Sequence, residues 1–149
     1  MNLQTQLSVF LVNKPGVLGQ VCDLLAKARI NITALTMMDS SEHGVLRLVV
    51  DDPARARQAL SKINVPMTET EVLCVDMDDH PGAMADVCRM LGEAHINIGY
   101  AYCTTGARGG RATGVLKVAD SKKALKVLTT PRTKRRTALP RTRRPVVKS

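Results

Sequence analysis

The chain has 149 residues, a formal net charge of +9, four cysteines and three aromatic side chains, Phe10, Tyr100 and Tyr102. That length suits one ordinary domain or two small ones, and the near absence of aromatics makes the core aliphatic. No apolar run is long enough to span a bilayer and no charged-then-apolar leader opens the chain, which predicts a cytoplasmic protein without membrane partners.

The charge is unevenly placed. From Pro131 onward eight of the 22 Lys and Arg occur with no acid, leaving 14 basic against 13 acidic residues in the body, a net of +1. The folded part is therefore almost neutral, and any affinity for nucleic acid or another polyanion rests on the tail.

In chain order, Leu7 to Val12 (LSVFLV) is a continuous apolar run that predicts a strand covered on both faces. Pro15 and Gly16 break it. Val17, Leu18, Val21, Cys22, Leu25 and Ala28 then recur at helical spacing along one face. Ile30 to Met38 is rich in β-branched residues and predicts a second strand. The turn DSSEHG follows, and Gly44 to Val50 is a third strand. Asp52 before Pro53 opens a second helix through ARARQALSKI. Pro66 to Met77 is extended again.

The chain then repeats itself. NKPGVLGQVCDLLAKARINI at residue 13 becomes DHPGAMADVCRMLGEAHINI 66 residues later, with nine of 18 positions identical from the Pro-Gly to the final Ile. Periodicity alone would not hold a Pro-Gly, a Cys and an Asn in register, so this is an internal repeat. GVLRL at Gly44 becomes GVLKV at Gly114, an offset of 70, so the second hairpin is four residues longer, through TTGARGGRAT.

Each copy reads β-α-β-β-α-β. The predicted fold class is α+β: two ferredoxin-like modules in tandem, with antiparallel sheets and helices on one face. The modules fall at residues 1–68 and 69–130, followed by a basic Arg/Pro-rich tail at 131–149 that reads as disordered. After Leu128 no convincing fourth strand appears in the second copy. Glu71 to Met77 is therefore expected to have an unpaired, apolar side, VLCVDM, which invites pairing with a second chain and predicts a homodimer meeting through the second module.

Three site types common on such folds find little support. The first loops, NKPG and DHPG, hold no cysteine pair for a metal and no Arg for a phosphate. The central strands hold one Phe, too few aromatics to stack RNA bases. Cys22, Cys74, Cys88 and Cys103 form no C-x-x-C pair, so neither a metal nor a cofactor is predicted. His43, His80 and His95 stand beside no Ser or Cys at a strand-to-helix elbow. No catalytic group is predicted, and a pairing of His80 with Cys74 or Cys103 is the only nucleophile and base the sequence offers.

What remains is a strand, then N/D-x-P-G and two apolar residues, a helix of about a dozen residues, and apolar-Asn-Ile opening the next strand. The residues are Asn13, Pro15, Gly16, Val17 and Leu18 with Ile30, Asn31 and Ile32, and again Asp79, Pro81, Gly82, Ala83 and Met84 with Ile96, Asn97 and Ile98. In these the chain resembles the ACT-domain family, small regulatory modules that bind amino acids, over residues 4 to about 128. The resemblance implies a non-catalytic, stand-alone tandem protein that works in pairs. It also implies a ligand between modules, touching the Pro-Gly loop of one and Asn31 or Asn97 of its neighbour.

The loop chemistry supports an anionic ligand independently, because Pro-Gly before a helix leaves its first N–H groups free at the positive end of the dipole. Asn13 would meet the α-amino or carboxylate group directly, whereas Asp79 would repel a carboxylate unless His80 offset it, which favours the Asn13 site. The competing reading gives the Pro-Gly a turn role only and lets each Asn make local backbone bonds.

Overall fold

A computed structural model describes residues 1–38, 43–105 and 110–131. Most of the DSSEHG turn, the tip of the long hairpin with Arg108, and the basic tail with its Val146-Val147 lie outside the described residues. The elements are β1 (Asn2–Val12), α1 (Val17–Lys27), β2 (Ile32–Met38), β3 (His43–Val50), α2 (Pro53–Leu60), β4 (Met67–Asp78), α3 (Ala83–Glu93), β5 (Ile98–Thr105), β6 (Arg111–Val118) and α4 (Ser121–Thr129).

All six strands belong to one sheet, in the order β2-β3-β1-β4-β6-β5. Its centre corrects the expected open edge. Glu71 to Cys74 pairs antiparallel with Asn2 to Thr5, while Leu73 to Asp78 pairs with β6. The start of β1 thus takes the place where a fourth strand of the second copy would pair. The polar stretch Asn2–Gln6 gives no apolar run, so its extended state is set by pairing with β4 rather than by its own pattern. β1 and β4 each serve both copies. Thr5 faces Glu71 across the ladder, and these two residues are themselves 66 apart. A pseudo-two-fold axis therefore passes through that pair and relates the copies.

Alternation along the strands separates two faces. On one, Leu7, Val9, Leu11, Leu46 and Leu48 pack with Val21 and Leu25 of α1 and Ala56 and Leu60 of α2. On the same face of the other half, Leu73, Val75, Leu116 and Val118 pack with Val87 and Leu91 of α3 and Ala124 of α4. On the opposite face Ala34, Val49, Val72, Cys74 and Val115 form a third cluster with Tyr102 against it. The sheet curls around this third cluster until its outermost strands, β2 and β5, approach each other.

The repeated residues have structural causes. Helices α1 and α3 both end in left-handed residues, Arg29 and His95 at φ 55°. Ile30 N–H donates to Leu25 and Ile96 N–H to Leu91, each closing a wide turn in which the two apolar side chains meet. That is why Leu, Ala and Ile recur in register. No helix among the described residues is long and apolar enough to cross a membrane.

Candidate functional site

Four helices begin in two different ways. Asp52 and Asp120 cap α2 and α4, accepting from the N–H groups of Arg55 at 3.0 Å and Lys123 at 2.9 Å. Helices α1 and α3 instead start from Gly16 at φ 86° and Gly82 at φ 96°, with no side-chain cap. A Cβ at either glycine would meet nothing within 4 Å. In α1, Val17 N–H reaches Lys14 and Gln20 N–H bonds Gly16; in α3, Ala83 reaches His80 and Asp86 bonds Gly82. The N–H groups of Leu18, Gly19, Met84 and Ala85 lie between these bonds, uncapped at the positive helix end. Both loops leave open space there, which suits a small carboxylate.

The two loops differ. Asn13 is exposed and lines a cavity of about 300 Å³ with Met37, Met38 and Gly44. Leu18 is also exposed at the rim of this region, and Pro15 lies exposed in the loop. Asp79 is exposed, but its N–H is held by the carbonyl of Gly110 at 2.6 Å, so this loop is tied to the long hairpin. The His80 ring turns its Nδ1 to the Pro81 carbonyl at 2.9 Å rather than toward Asp79.

Asn31 and Asn97 are exposed at the starts of β2 and β5. Strand polarity points the start of β5 the same way as the end of β1, and the start of β2 the same way as the end of β4. Each Asn is thus directed as the Pro-Gly loop of the other copy is, yet among the described residues no hydrogen bond joins either Asn to such a loop. Asn31 exchanges bonds with Asp51, its N–H donating to Oδ1 at 3.1 Å and its carbonyl accepting at 3.2 Å. The Asn97 carbonyl accepts from Ala119 at 3.1 Å.

A polar cluster inside the curl was not foreseen. Gln6 is fully buried; its Nε2 donates to the Tyr100 hydroxyl at 2.8 Å and to Ser8 Oγ at 3.2 Å, and its Oε1 accepts from the Tyr102 hydroxyl at 2.9 Å. The Arg47 guanidinium lies 3.6 Å from the Tyr100 ring centre. Burial, and then the neighbouring Tyr100, push the Tyr102 hydroxyl upward, so it stays protonated and donates. The sequence signal was present: two of three aromatics stand at i and i+2 on one strand. Its partner Gln6 lay in a stretch not read as a strand.

Other titrations are local. Burial, followed by Asp76, pushes the Cys74 thiol up to about 11. The Asp76 carboxyl is held down chiefly by the Thr113 hydroxyl, with help from the terminal amine. Neither Cys74 nor Cys103 shows the lowered thiol pKa of an activated nucleophile. Among the described residues no group of three or more His, Cys, Asp or Glu could hold a metal.

These features define a tandem βαββαβ fold with two open Pro-Gly helix starts. The profile of the ACT domain pair matches residues 1–134, and the chain belongs to that family. A solved protein of Bacteroides thetaiotaomicron is 34% identical at a TM-score of 0.77, covering 85% of this chain and 86% of that one. The ligand-free regulatory subunit of aspartate kinase from Thermus thermophilus shares the fold at a TM-score of 0.60 and 14% identity, over 86% of this chain and 95% of that one. The equivalent subunit from Thermus flavus gives 0.57 and 18%, over 85% and 92%. No curated protein matches the chain.

Proposed function

We propose that the protein is a non-catalytic regulator that binds a free amino acid, or a similar small carboxylate, at the Pro-Gly start of α1. The observation that carries this reading is the internal contrast between helices. Where the repeat needs only a stable helix it uses an Asp cap, and where a ligand would enter it leaves the N–H groups open behind an unobstructed glycine. A carboxylate would accept from Leu18 and Gly19 N–H, and Asn13 would hold the α-amino group. Val17 lies in the first turn beneath. In the second copy Gly82, Ala83 and Met84 form the same start, but Asp79 places a negative charge beside it, so the Asn13 site is the stronger.

The neighbour that completes the site is a second copy of the chain. Among the described residues, six of the seven exposed large hydrophobic residues, Phe10, Val12, Leu18, Leu35, Met37 and Met38, lie on the first copy around this loop and the free edge of β2. Such a surface fits a homodimer. The first module, rather than the second, then lies nearer the shared surface, and Asn31 or Asn97 of the second chain would reach the loop.

A thermal-shift screen of the twenty amino acids tests the reading. A true ligand at 100 times its Kd stabilises the fold by about 2.7 kcal/mol, and Asn13→Ala should weaken binding about tenfold or more by removing a bond to a charged group. No shift at millimolar concentration with any amino acid rejects it. The eight basic residues beyond Pro131 favour a second reading, polyanion binding through the tail. That binding would fall steeply with salt and vanish on deletion of residues 131–149.

A further inference from the structure

Gly44 of β3 and Gly114 of β6 are equivalent in the two copies, and each opens a notch on the helix-bearing face of the sheet. Gly44 stands opposite Leu11 of the first core cluster and Gly114 opposite Val75 of the second. The two notches are closed differently. A Cβ on Gly114 would lie 2.9 Å from Met77 Cε, 3.1 Å from Met84 Cε and 3.5 Å from Leu116 Cδ1. Met84 belongs to the first turn of α3, so the second Pro-Gly helix covers its own notch. A Cβ on Gly44 would have only atoms of Met37 and Met38 as its nearest neighbours, with Met37 Cε at 2.7 Å. Leu11 and Leu18 hold the places of Met77 and Met84; each side chain is one atom shorter, and Leu18 is exposed. The first Pro-Gly helix therefore leaves its notch to β2 alone. Beside it lies the cavity of about 300 Å³ that Asn13 shares with Met37, Met38 and Gly44.

That lining sorts ligands by side chain. Among the described residues it offers two thioethers, a glycine and a single amide, and no charge. The amide sits at the Pro-Gly loop, where the amino and carboxylate groups of a ligand would be held, so the ligand's side chain would face the methionines. A charged or hydroxyl-bearing side chain would lose water there and find no partner, whereas an aliphatic one gains from burial. The volume is at the small end of ligand sites, which fits one amino acid. Met37 is exposed and unbranched, so its end moves aside easily and acts as an adjustable wall.

We propose that the amino acid bound at the first Pro-Gly loop carries an aliphatic or thioether side chain, of the size of valine, leucine, isoleucine or methionine, and that Gly44 and Met37 form the subsite that selects it. This selection rests on the amino-acid reading of the same loop. Gly44 sets the depth of the subsite and Met37 its width.

The test melts the full chain against graded concentrations of each amino acid and converts the shifts to Kd. The tightest ligand should be one of those four, bound about tenfold or more tighter than serine, aspartate, lysine or glycine. Gly44→Ala, whose Cβ pushes the Met37 methyl into the cavity, should weaken that ligand about tenfold, and Gly44→Ala/Met37→Ala should restore much of the loss. Met37→Ala alone should move the preference toward a larger side chain, with phenylalanine gaining several-fold over valine. The added Cβ meets the far end of a flexible side chain, so Gly44→Ala should fold, and melts without ligand check this. Met37→Ala tests the subsite without touching Gly44. Tightest binding of serine, aspartate or lysine, lost in Asn13→Ala, overturns the selection and leaves the loop as the amino-acid site. So does aliphatic binding that neither Gly44→Ala nor Met37→Ala alters. Binding of no amino acid overturns the selection together with the reading on which it rests.

Discussion

Gln6 is fully buried and makes three side-chain hydrogen bonds, two to the tyrosines of β5 and one to Ser8. Replacing it by leucine keeps the volume and deletes all three. At about 1 kcal/mol net per bond the loss is about 3 kcal/mol, and the stranded Tyr hydroxyls keep that figure from shrinking through relaxation. In urea, with a slope of about 1–3 kcal/mol per molar, the midpoint should fall by about 1–3 M with the slope unchanged. The triple variant Gln6→Leu/Tyr100→Phe/Tyr102→Phe should recover most of this, since replacing both sides of a polar contact by apolar groups is nearly neutral. A coupling energy above about 1 kcal/mol between Gln6 and the tyrosine pair is the expected readout. Two results refute the reasoning. One is a Gln6→Leu variant within about 0.5 kcal/mol of the parent; the other is a triple variant whose loss is the plain sum of its parts.

Asp52→Ala and Asp120→Ala should each cost about 1 kcal/mol in urea melts by uncapping a helix, and an unchanged midpoint in both would deny the caps any weight. Arg29→Gly and His95→Gly should stabilise the fold by up to about 1 kcal/mol each, because both residues hold a left-handed φ of 55°. The Cys74 thiol is raised in the folded state from 9.0 to about 11, so the fold binds that proton more tightly. The stability it contributes is complete below pH 9 and is lost as pH rises toward 11; Cys74→Ala should flatten that alkaline decline. Asp76 has the opposite sign, its folded pKa lying below 3.8, so its contribution is present above that pH and is lost as pH falls through the folded value. The effect should be small because the carboxylate is half exposed, and Asp76→Asn should remove it from acid titrations of stability.

The fold was legible where the chain stated its own periodicity. Apolar runs placed β1 and β3, a helical stripe placed α1, Asp52 before Pro53 opened α2, the internal repeat carried these elements into the second copy, and the Pro-Gly breaks marked where α1 and α3 begin. What stayed hidden was non-local. Asn2 to Thr5 carries no strand pattern, yet it pairs with Glu71 to Cys74 because those backbone groups have no other partner on that side. The sequence of the second copy offers no convincing fourth strand, and the strand that pairs in that place comes from the far end of the chain, a pairing that no local window contains. The consequence is a sheet of six strands, two of them shared, in place of separate four-stranded sheets.

The site divides along the same line. Sequence alone pointed to Asn13, Gly16 and Gly82, since a Pro-Gly before an apolar stripe is a local statement about a helix start, and both glycines do open uncapped helices. Asn31 and Asn97 were harder, because a short polar residue at a strand start reads equally as a ligand contact or as a local bond. The backbone of Asn31 is bound to Asp51 on both its N–H and its carbonyl, which fixes the start of β2 and turns the side chain outward. An outward side chain without a loop of its own chain to meet has a use only if another surface comes to it. The apolar residues gathered at β2 and the Asn13 loop supply such a surface. If the proposed pairing of two chains completes the site, function depends on a contact that a single chain does not contain, and one chain's local pattern cannot draw it.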